Sequence, residues 1–216
     1  MREPKLASRM IWSATQHRVA NSLQIIASVL MQSARKVQSD EARGHLHNAH
    51  HRVMSIAALQ RQLSTSSGGE VEVRVYLTQL CQSLGASMIA DPDRLSIKVA
   101  VDNSSVGPDV SVSLGLIVTE LVINALKHAF PVEMTGMITV DYRSSGGGWT
   151  LSVTDNGVGM PTGSEAPKAG LGTGIVEALA KNLASEIKVT DAGPGTAITV
   201  THLGSAGNQT ELPPAA

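Results

Sequence analysis

The sequence predicts an α+β protein, a helical hairpin at the N-terminus followed by a mixed α/β unit. Three observations carry this. No proline falls between Leu6 and Leu63, and apolar residues there recur at steps of three and four. A small-residue stretch, Ser64 to Glu70, then interrupts the pattern. Beyond it, strand-like runs are interspersed with helix-length amphipathic ones, as in a domain that packs helices on a sheet.

Composition narrows the function classes. The chain has 216 residues, 42% of them hydrophobic, enough for one ample core or two small ones. A formal net charge of -1 and a pI near 6.6 offer nucleic acid no electrostatic attraction, and 2% aromatic content leaves few platforms for stacking bases. Nucleic acid is therefore not an expected partner. The single cysteine, Cys81, excludes an internal disulfide and fits a reducing compartment. No apolar run is read as approaching the roughly 20 residues of a spanning helix, and MREPKLASRM lacks the apolar centre of a signal peptide. A cytoplasmic protein without a membrane span is expected.

The first predicted helix carries Val19, Leu23, Ile26 and Leu30 along one seam, with Val37 a heptad beyond Leu30. The second carries Leu46, Ala49, Val53, Ile56 and Leu63. The turn between them is expected around Gln38 to Gly44. A two-helix hairpin cannot bury both seams unaided, so pairing with a second copy into a four-helix bundle is expected, which makes a homodimer. Opposite the first seam run His17, Asn21, Gln24 and Ser28. A half-exposed neutral imidazole at His17 is nucleophilic enough to receive a phosphoryl group; the alternative is an ordinary surface histidine. His47 and His51 have an i, i+4 metal-ligand spacing, with His45 and His50 nearby. No carboxylate or cysteine joins them at ligand spacing, so a solvated helix face is expected.

In the second unit, Val75, Leu77, Leu80, Leu84 and Met88 predict a helix, Leu95 to Val101 alternates as a strand, and Asp109 is placed to cap the next helix. That helix contains ELVINALKHAFP, Glu120 to Pro131. Glu120, Asn124 and His128 (or Lys127) share one face, while Leu116, Ile117, Leu121 and Ala125 turn toward a core. A carboxylate, an amide oxygen and a cation on one stripe suit a nucleotide's magnesium and phosphates. A solvated stripe on an amphipathic helix has the same spacing. Met137 to Tyr142 and Trp149 to Thr154 read as strands of a hairpin turning at SSGGG. Ile175 to Leu183 reads as a helix, Glu186 to Thr190 and Thr196 to His202 as strands joined at Ala192 to Gly195, and Gly204 to Ala216 as a loose tail.

Asp155-Asn156-Gly157-Val158-Gly159 puts an acid at a strand end followed by two glycines. A carboxylate there accepts a hydrogen bond from an exocyclic amine such as that of adenine, and the glycines admit backbone close to a base and sugar. Gly170-Leu171-Gly172-Thr173-Gly174 opens a helix, whose N-terminal N–H groups suit phosphate oxygens. The segment between, Thr162 to Ala169, has no apolar pattern and suits a mobile lid.

The order of these motifs resembles the ATP-binding domain shared by histidine kinases, gyrase, the Hsp90 chaperones and MutL (the GHKL or Bergerat fold). HRVANSLQIIASVL, His17 to Leu30, is similar to the phosphoacceptor box of the atypical histidine kinases related to the HWE kinases, usually HRVKNNLQII. ELVINALKHAFP resembles the same family's N box. The resemblance spans about Met10 to Leu203 and lacks a separate F box, as is usual in this branch. It implies a hairpin dimerising as a four-helix bundle, then an α/β sandwich that binds ATP and Mg2+. It also implies phosphoryl transfer from ATP to His17 and on to an aspartate in a response regulator receiver domain. By position, Asn124 would ligate magnesium, Glu120 would bind the ion or relay a proton, and Lys127 and His128 would contact phosphates. Asp155 would hold the adenine amine, Gly157 and Gly159 would shape the base pocket, Gly170, Gly172 and Gly174 would form the lid hinge and phosphate loop, and Thr196 would close the pocket. The division expected is 1–66 for the dimerisation and phosphotransfer hairpin, 67–206 for the ATP-binding domain and 207–216 for the tail.

This chain departs from the family at Ala14, where an acid usually stands three residues before the histidine, and at Ala20, which replaces the usual lysine. The missing acid weakens activation of the imidazole unless Glu120 compensates. About 16 residues precede His17, too few for a sensory domain, so either the chain is a fragment or a separate sensor protein supplies the input. Two other readings compete: a dimeric phosphotransfer adaptor with a degenerate ATP site, favoured by Ala14, and an anti-sigma serine kinase, disfavoured by the hairpin.

Overall fold

The computed structural model describes residues 3–65, 69–160 and 171–204, with side chains from residue 18 onward except those of Ser64 and Thr65. Two helices come first, α1 (Glu3–Lys36) and α2 (Asp40–Thr65). The turn between them is three residues, shorter than expected, because Ser39 caps α2: its Oγ accepts from the Ala42 N–H and its carbonyl from the Arg43 N–H. Gly44, read as part of the turn, lies inside α2.

The two helices of the hairpin pack on each other through small residues, apart from the large-residue seam expected to meet a second copy. Ala20, Ala27 and Ala34 repeat at heptad spacing on α1 and are buried, and the His50 ring on α2 hydrogen-bonds the Ala27 carbonyl through Nδ1 at 3.0 Å. Ala57, one heptad beyond His50, falls on the same face of α2 and is fully buried. Alanines let two helices approach closely, so the larger side chains are turned outward. Val19 and Ile26 of the predicted seam are exposed, as are Ile25 and Val29, while Leu23, Leu30, Leu46, Val53 and Ile56 are half-buried.

Beyond the hairpin come β1 (Val71–Glu72), α3 (Val73–Met88), β2 (Leu95–Val101), β3 (Ser105–Val106), α4 (Pro108–His128), β4 (Gly136–Ser145), β5 (Gly148–Asp155), α5 (Leu171–Asn182), β6 (Ser185–Asp191) and β7 (Thr196–His202). β1 and β3 form a small antiparallel pair. The others make one sheet ordered β2-β4-β5-β7-β6, parallel between β2 and β4 and antiparallel elsewhere. The β4–β5 turn is Gly146-Gly147 with both φ positive, the two-residue turn whose twist matches the strands it joins. α3, α4 and α5 pack on this mixed sheet around one core containing Tyr76, Leu77, Ile117, Val122, Ile138, Leu151 and Val200.

Two expectations about α4 change. Gly107 is its N-cap with Pro108 at N1, so Asp109 sits in the first turn beside the helix's positive end and caps nothing. By length and composition α4 is also apolar enough to cross a bilayer, contrary to the sequence reading. Its apolar residues go instead into the core, and it carries the buried Glu120. Leu59 and Leu63 of α2 belong to the same core as the sheet, so hairpin and sheet unit share buried surface. The expected boundary at 66/67, the lid from Thr162 to Ala169, Gly170 and the 207–216 tail lie outside the described residues.

Candidate functional site

α4 runs through the core and presents its one polar stripe toward α2 and α5. Glu120 is 2% exposed, and both carboxylate oxygens are engaged by Arg52 of α2: Nε reaches Oε1 at 2.5 Å and the second guanidinium nitrogen reaches Oε2 at 2.8 Å. A fork-to-fork pair of this kind is the strong form of ion pair, and removing either partner would strand a buried charge. Glu120 raises the affinity of Arg52 for its proton, chiefly through that hydrogen bond. Glu120 is therefore not the open stripe residue the spacing suggested.

Asn124, one turn on, is half-buried beside it. The first turn of α5 closes over both. A Cβ added at Gly172 would stand 2.7 Å from Glu120 Oε2 and 3.7 Å from both amide atoms of Asn124. Glycine here is a packing requirement. α5 begins at Leu171, four residues before the predicted start, so Gly172 and Gly174 belong to its first turn and not to a preceding loop; Gly174 faces open space. Lys127 donates to Asn48 Oδ1 of α2 at 2.6 Å, and desolvation lowers its pKa against the opposing pull of Glu120. His128 ends the helix, exposed.

The second half of the site grows from the end of β5. Asp155 is 7% exposed, and its Oδ1 accepts backbone N–H groups of Gly157 at 3.0 Å and Thr196 at 3.2 Å. Oδ2 has no hydrogen bond among the described residues and is left as an acceptor. Thr196 thus enters the site through its backbone. The Val158 N–H donates to the Ala129 carbonyl at 2.9 Å, and a Cβ at Gly157 would meet that oxygen at 2.2 Å, so the D-x-G-x-G loop is seated on the end of α4. Gly159 has φ +78°, a conformation that favours glycine. Gly195, not singled out from sequence, presses on the Asp155 backbone, where a Cβ would meet the carbonyl oxygen at 1.9 Å.

The structure therefore brings Glu120, Asn124 and Gly172 together, and Asp155, Gly157 and Thr196 together, with the end of α4 joining the two groups. His17 lies on α1, and its side chain is outside the described residues. The antiparallel register set by His50 and Ala27 places residue 25 opposite Arg52. His17 is eight residues upstream, about 12 Å along the axis at 1.5 Å per residue. Arg52 and Asn48 were missed because the polar face of α2 read as solvated. They stand with Ser55 and Leu59 at i, i+4, i+7 and i+11, the one signal that could have found them. The histidines of α2 are likewise not all solvated: His45 is exposed, whereas His47, His50 and His51 are half-buried.

The site fits a nucleotide base, and it fits a hard cation at Glu120 once Arg52 releases that carboxylate. An oxygen of Asp155 is left free beside a glycine-built backbone cradle, and a carboxylate and an amide lie one turn apart with a guanidinium already matching the negative charge. A helical hairpin docked on such a site defines a class, proteins that present an ATP-binding sandwich to a phosphoacceptor hairpin.

Residues 15–88 match the family model described as histidine kinase, and residues 109–205 match that described as histidine kinase-, DNA gyrase B-, and HSP90-like ATPase. The chain belongs to the atypical sensor histidine kinases with a GHKL domain. It is 28% identical over 197 residues to blue-light-activated histidine kinase 2 of Erythrobacter litoralis, covering 86% of this chain and 54% of that one. It is 32% identical over 166 residues to the sensor histidine kinase PdtaS of Mycobacterium tuberculosis, covering 76% of this chain and 33% of that one. The chain thus spans between a third and about half of these relatives. The solved histidine kinase domain of the Erythrobacter litoralis EL346 blue-light activated kinase shares the fold, with a TM-score of 0.65 at 22% identity over 82% of this chain and 94% of that one.

Proposed function

We propose that this chain is a two-component kinase core that transfers the γ-phosphoryl group of ATP to His17 and then to an aspartate of a response regulator receiver domain. The observation that carries the reading is the seating of the D-x-G-x-G loop on the end of α4, which joins the Asp155 acceptor to the Glu120 and Asn124 cluster facing the hairpin. In this reading Asp155 Oδ2 accepts the adenine amine, with Gly157, Gly159 and Thr196 around the base. Asn124 and Glu120 hold magnesium, which when bound offsets the charge of the phosphates. Lys127, His128 and the glycines at 170, 172 and 174 attend the phosphates. The His17 imidazole nitrogen attacks the γ-phosphorus, the bond to the bridging oxygen breaks, ADP leaves, and the imidazole proton passes to Glu120 or water. Such transfers rest mainly on positioning and charge neutralisation.

The hairpin occupies 1–66, the ATP-binding domain 67–206 and a tail 207–216. The protein works in the cytoplasm as a homodimer. The outward Val19, Ile25, Ile26 and Val29 support the dimer, since one chain leaves that face in water. The test is incubation with γ-labelled ATP and magnesium, beside His17→Ala and Asn124→Ala. Acid-labile, alkali-stable label lost in both variants is expected. Label only from a phosphorylated receiver would establish the phosphotransfer adaptor instead, and acid-stable label a serine kinase.

A further inference from the structure

Arg52 has no role in the phosphoryl transfer outlined above, yet its cationic fork fills the carboxylate that a metal would use. We propose that Arg52 is the resident cation of the metal site: it holds Glu120 until a magnesium nucleotide displaces it, so that loading the site and freeing α2 are one equilibrium. The inference rests on the ATP-binding reading above and assigns that site its regulation. Glu120 is buried between Arg52 and Gly172, and both of its oxygens are already bonded. A metal ion cannot take that carboxylate while the guanidinium holds it, because two cations would then compete for the same oxygens.

The contact between α2 and the ATP-binding unit is graded along one helical stripe. Asn48 holds Lys127, Arg52 holds Glu120, Ser55 lies beside the buried Tyr76 hydroxyl, and Leu59 is fully buried in the sheet core. The end near the site is polar and the end near residues 66–68 is apolar. Displacing Arg52, with Lys127 turning from Asn48 to phosphate, frees the polar end. The Leu59 end stays docked and serves as the pivot. By the same antiparallel register His17 stands level with residue 60, beside that pivot and about 12 Å along α1 from the level of Arg52.

By linkage, whatever favours the docked hairpin must weaken the magnesium nucleotide by the same factor. Affinity for the β,γ-imido analogue of ATP is measured by calorimetry, with magnesium and with EDTA, for wild type, Arg52→Gln and Arg52→Lys. Arg52→Gln is expected to bind roughly tenfold tighter with magnesium and nearly unchanged without it, with Arg52→Lys between, since lysine keeps the charge and loses the fork. Equal or weaker magnesium-dependent binding by Arg52→Gln would overturn the proposal, and weaker binding is what a merely structural salt bridge predicts. If Arg52→Gln fails to fold, hydrogen exchange on the wild type decides. Protection of residues 46–58 should fall with the magnesium analogue and not with the analogue in EDTA; unchanged protection overturns it. Failure of wild type to bind any nucleotide sinks the kinase reading as well, whereas binding indifferent to Arg52 sinks only the coupling.

Discussion

Replacing Asp155 with Asn should invert the base preference of the site. Oδ1 of Asp155 is pinned by the N–H groups of Gly157 and Thr196, so an asparagine must place its own oxygen there and its NH2 at the position of Oδ2. The substitution keeps both backbone bonds and exchanges an acceptor for a donor at Oδ2, the oxygen proposed to face the base. For adenine, a charge-assisted hydrogen bond is lost and two donors oppose each other, a cost of about 3 kcal/mol, or roughly a hundredfold in affinity. Inosine nucleotides carry a carbonyl in place of the amine. They should bind poorly to wild type and better than adenine nucleotides to Asp155→Asn. Competition of ATP and inosine triphosphate against a fluorescent nucleotide measures both ratios, with the thermal midpoint as control for folding. An Asp155→Asn protein that still prefers adenine to the wild-type extent would refute the assignment of Oδ2 to the base.

Leu59→Ala removes a fully buried side chain of α2 from the core shared with the sheet, and should cost about 3 kcal/mol. Urea unfolding in a Trp12→Phe background, read by Trp149 of β5, should report that loss; under about 1 kcal/mol would mean that α2 does not contribute to the core. Gly157→Ala drives a methyl into the Ala129 carbonyl, and should destabilise by about 1–3 kcal/mol while weakening ATP binding, because both contacting groups are backbone. The His51 imidazole is pushed down to about 4 from 6.5, first by burial and then by His50, His47 and Lys127. A base whose folded pKa is lowered binds fewer protons folded than unfolded, so stability should fall as pH drops below 6.5 toward 4. His51→Gln should flatten that part of a denaturation series taken across pH 7 to 4.

The parts of the site that sequence revealed are those whose chemistry is local. An acid at a strand end followed by glycines draws its partners from its own neighbours in the chain, and Asp155 does accept the Gly157 N–H two residues on. Strand periodicity likewise placed β2, β5 and β7 to within a residue, because one face of the sheet is buried and alternation is enforced, while β4 runs three residues past its expected end. What was misread depends on contacts across the chain. Glu120 and Asn124 form a polar stripe whether that stripe meets water, metal or arginine, and nothing in α4 says which. The glycine run was read as opening a helix, but its contact was not legible: Gly172 stands in the first turn of α5, where a Cβ would lie 2.7 Å from Glu120 Oε2. The contact within the hairpin was not read at all: close approach of its two helices selects the alanines at 20, 27 and 34, and it leaves the large residues Val19 and Ile26, expected to pair with a second copy, facing outward.

That choice of alanines bears on how a signal could reach the site. α2 carries Leu46, Val53 and Ile56 on faces left half-buried by its own chain, and Arg52 and Leu59 on the face docked to the sheet unit. A helix is stiff in rotation, because its backbone hydrogen bonds couple each turn to the next. If a second chain repacks the outer face by rotating the helix, the inner face turns by the same angle. A guanidinium held about 8 Å from the helix axis moves about 3 Å for a rotation of about 20°, the angle that separates one heptad of an ideal helix from a strict seven-residue repeat. Bonds of 2.5 and 2.8 Å between Arg52 and Glu120 do not survive such a displacement. The apolar contacts of Leu59 tolerate it, since they are non-directional. Such a rotation of α2 thus acts selectively on the polar end of its docking stripe, the end that holds the Glu120 carboxylate.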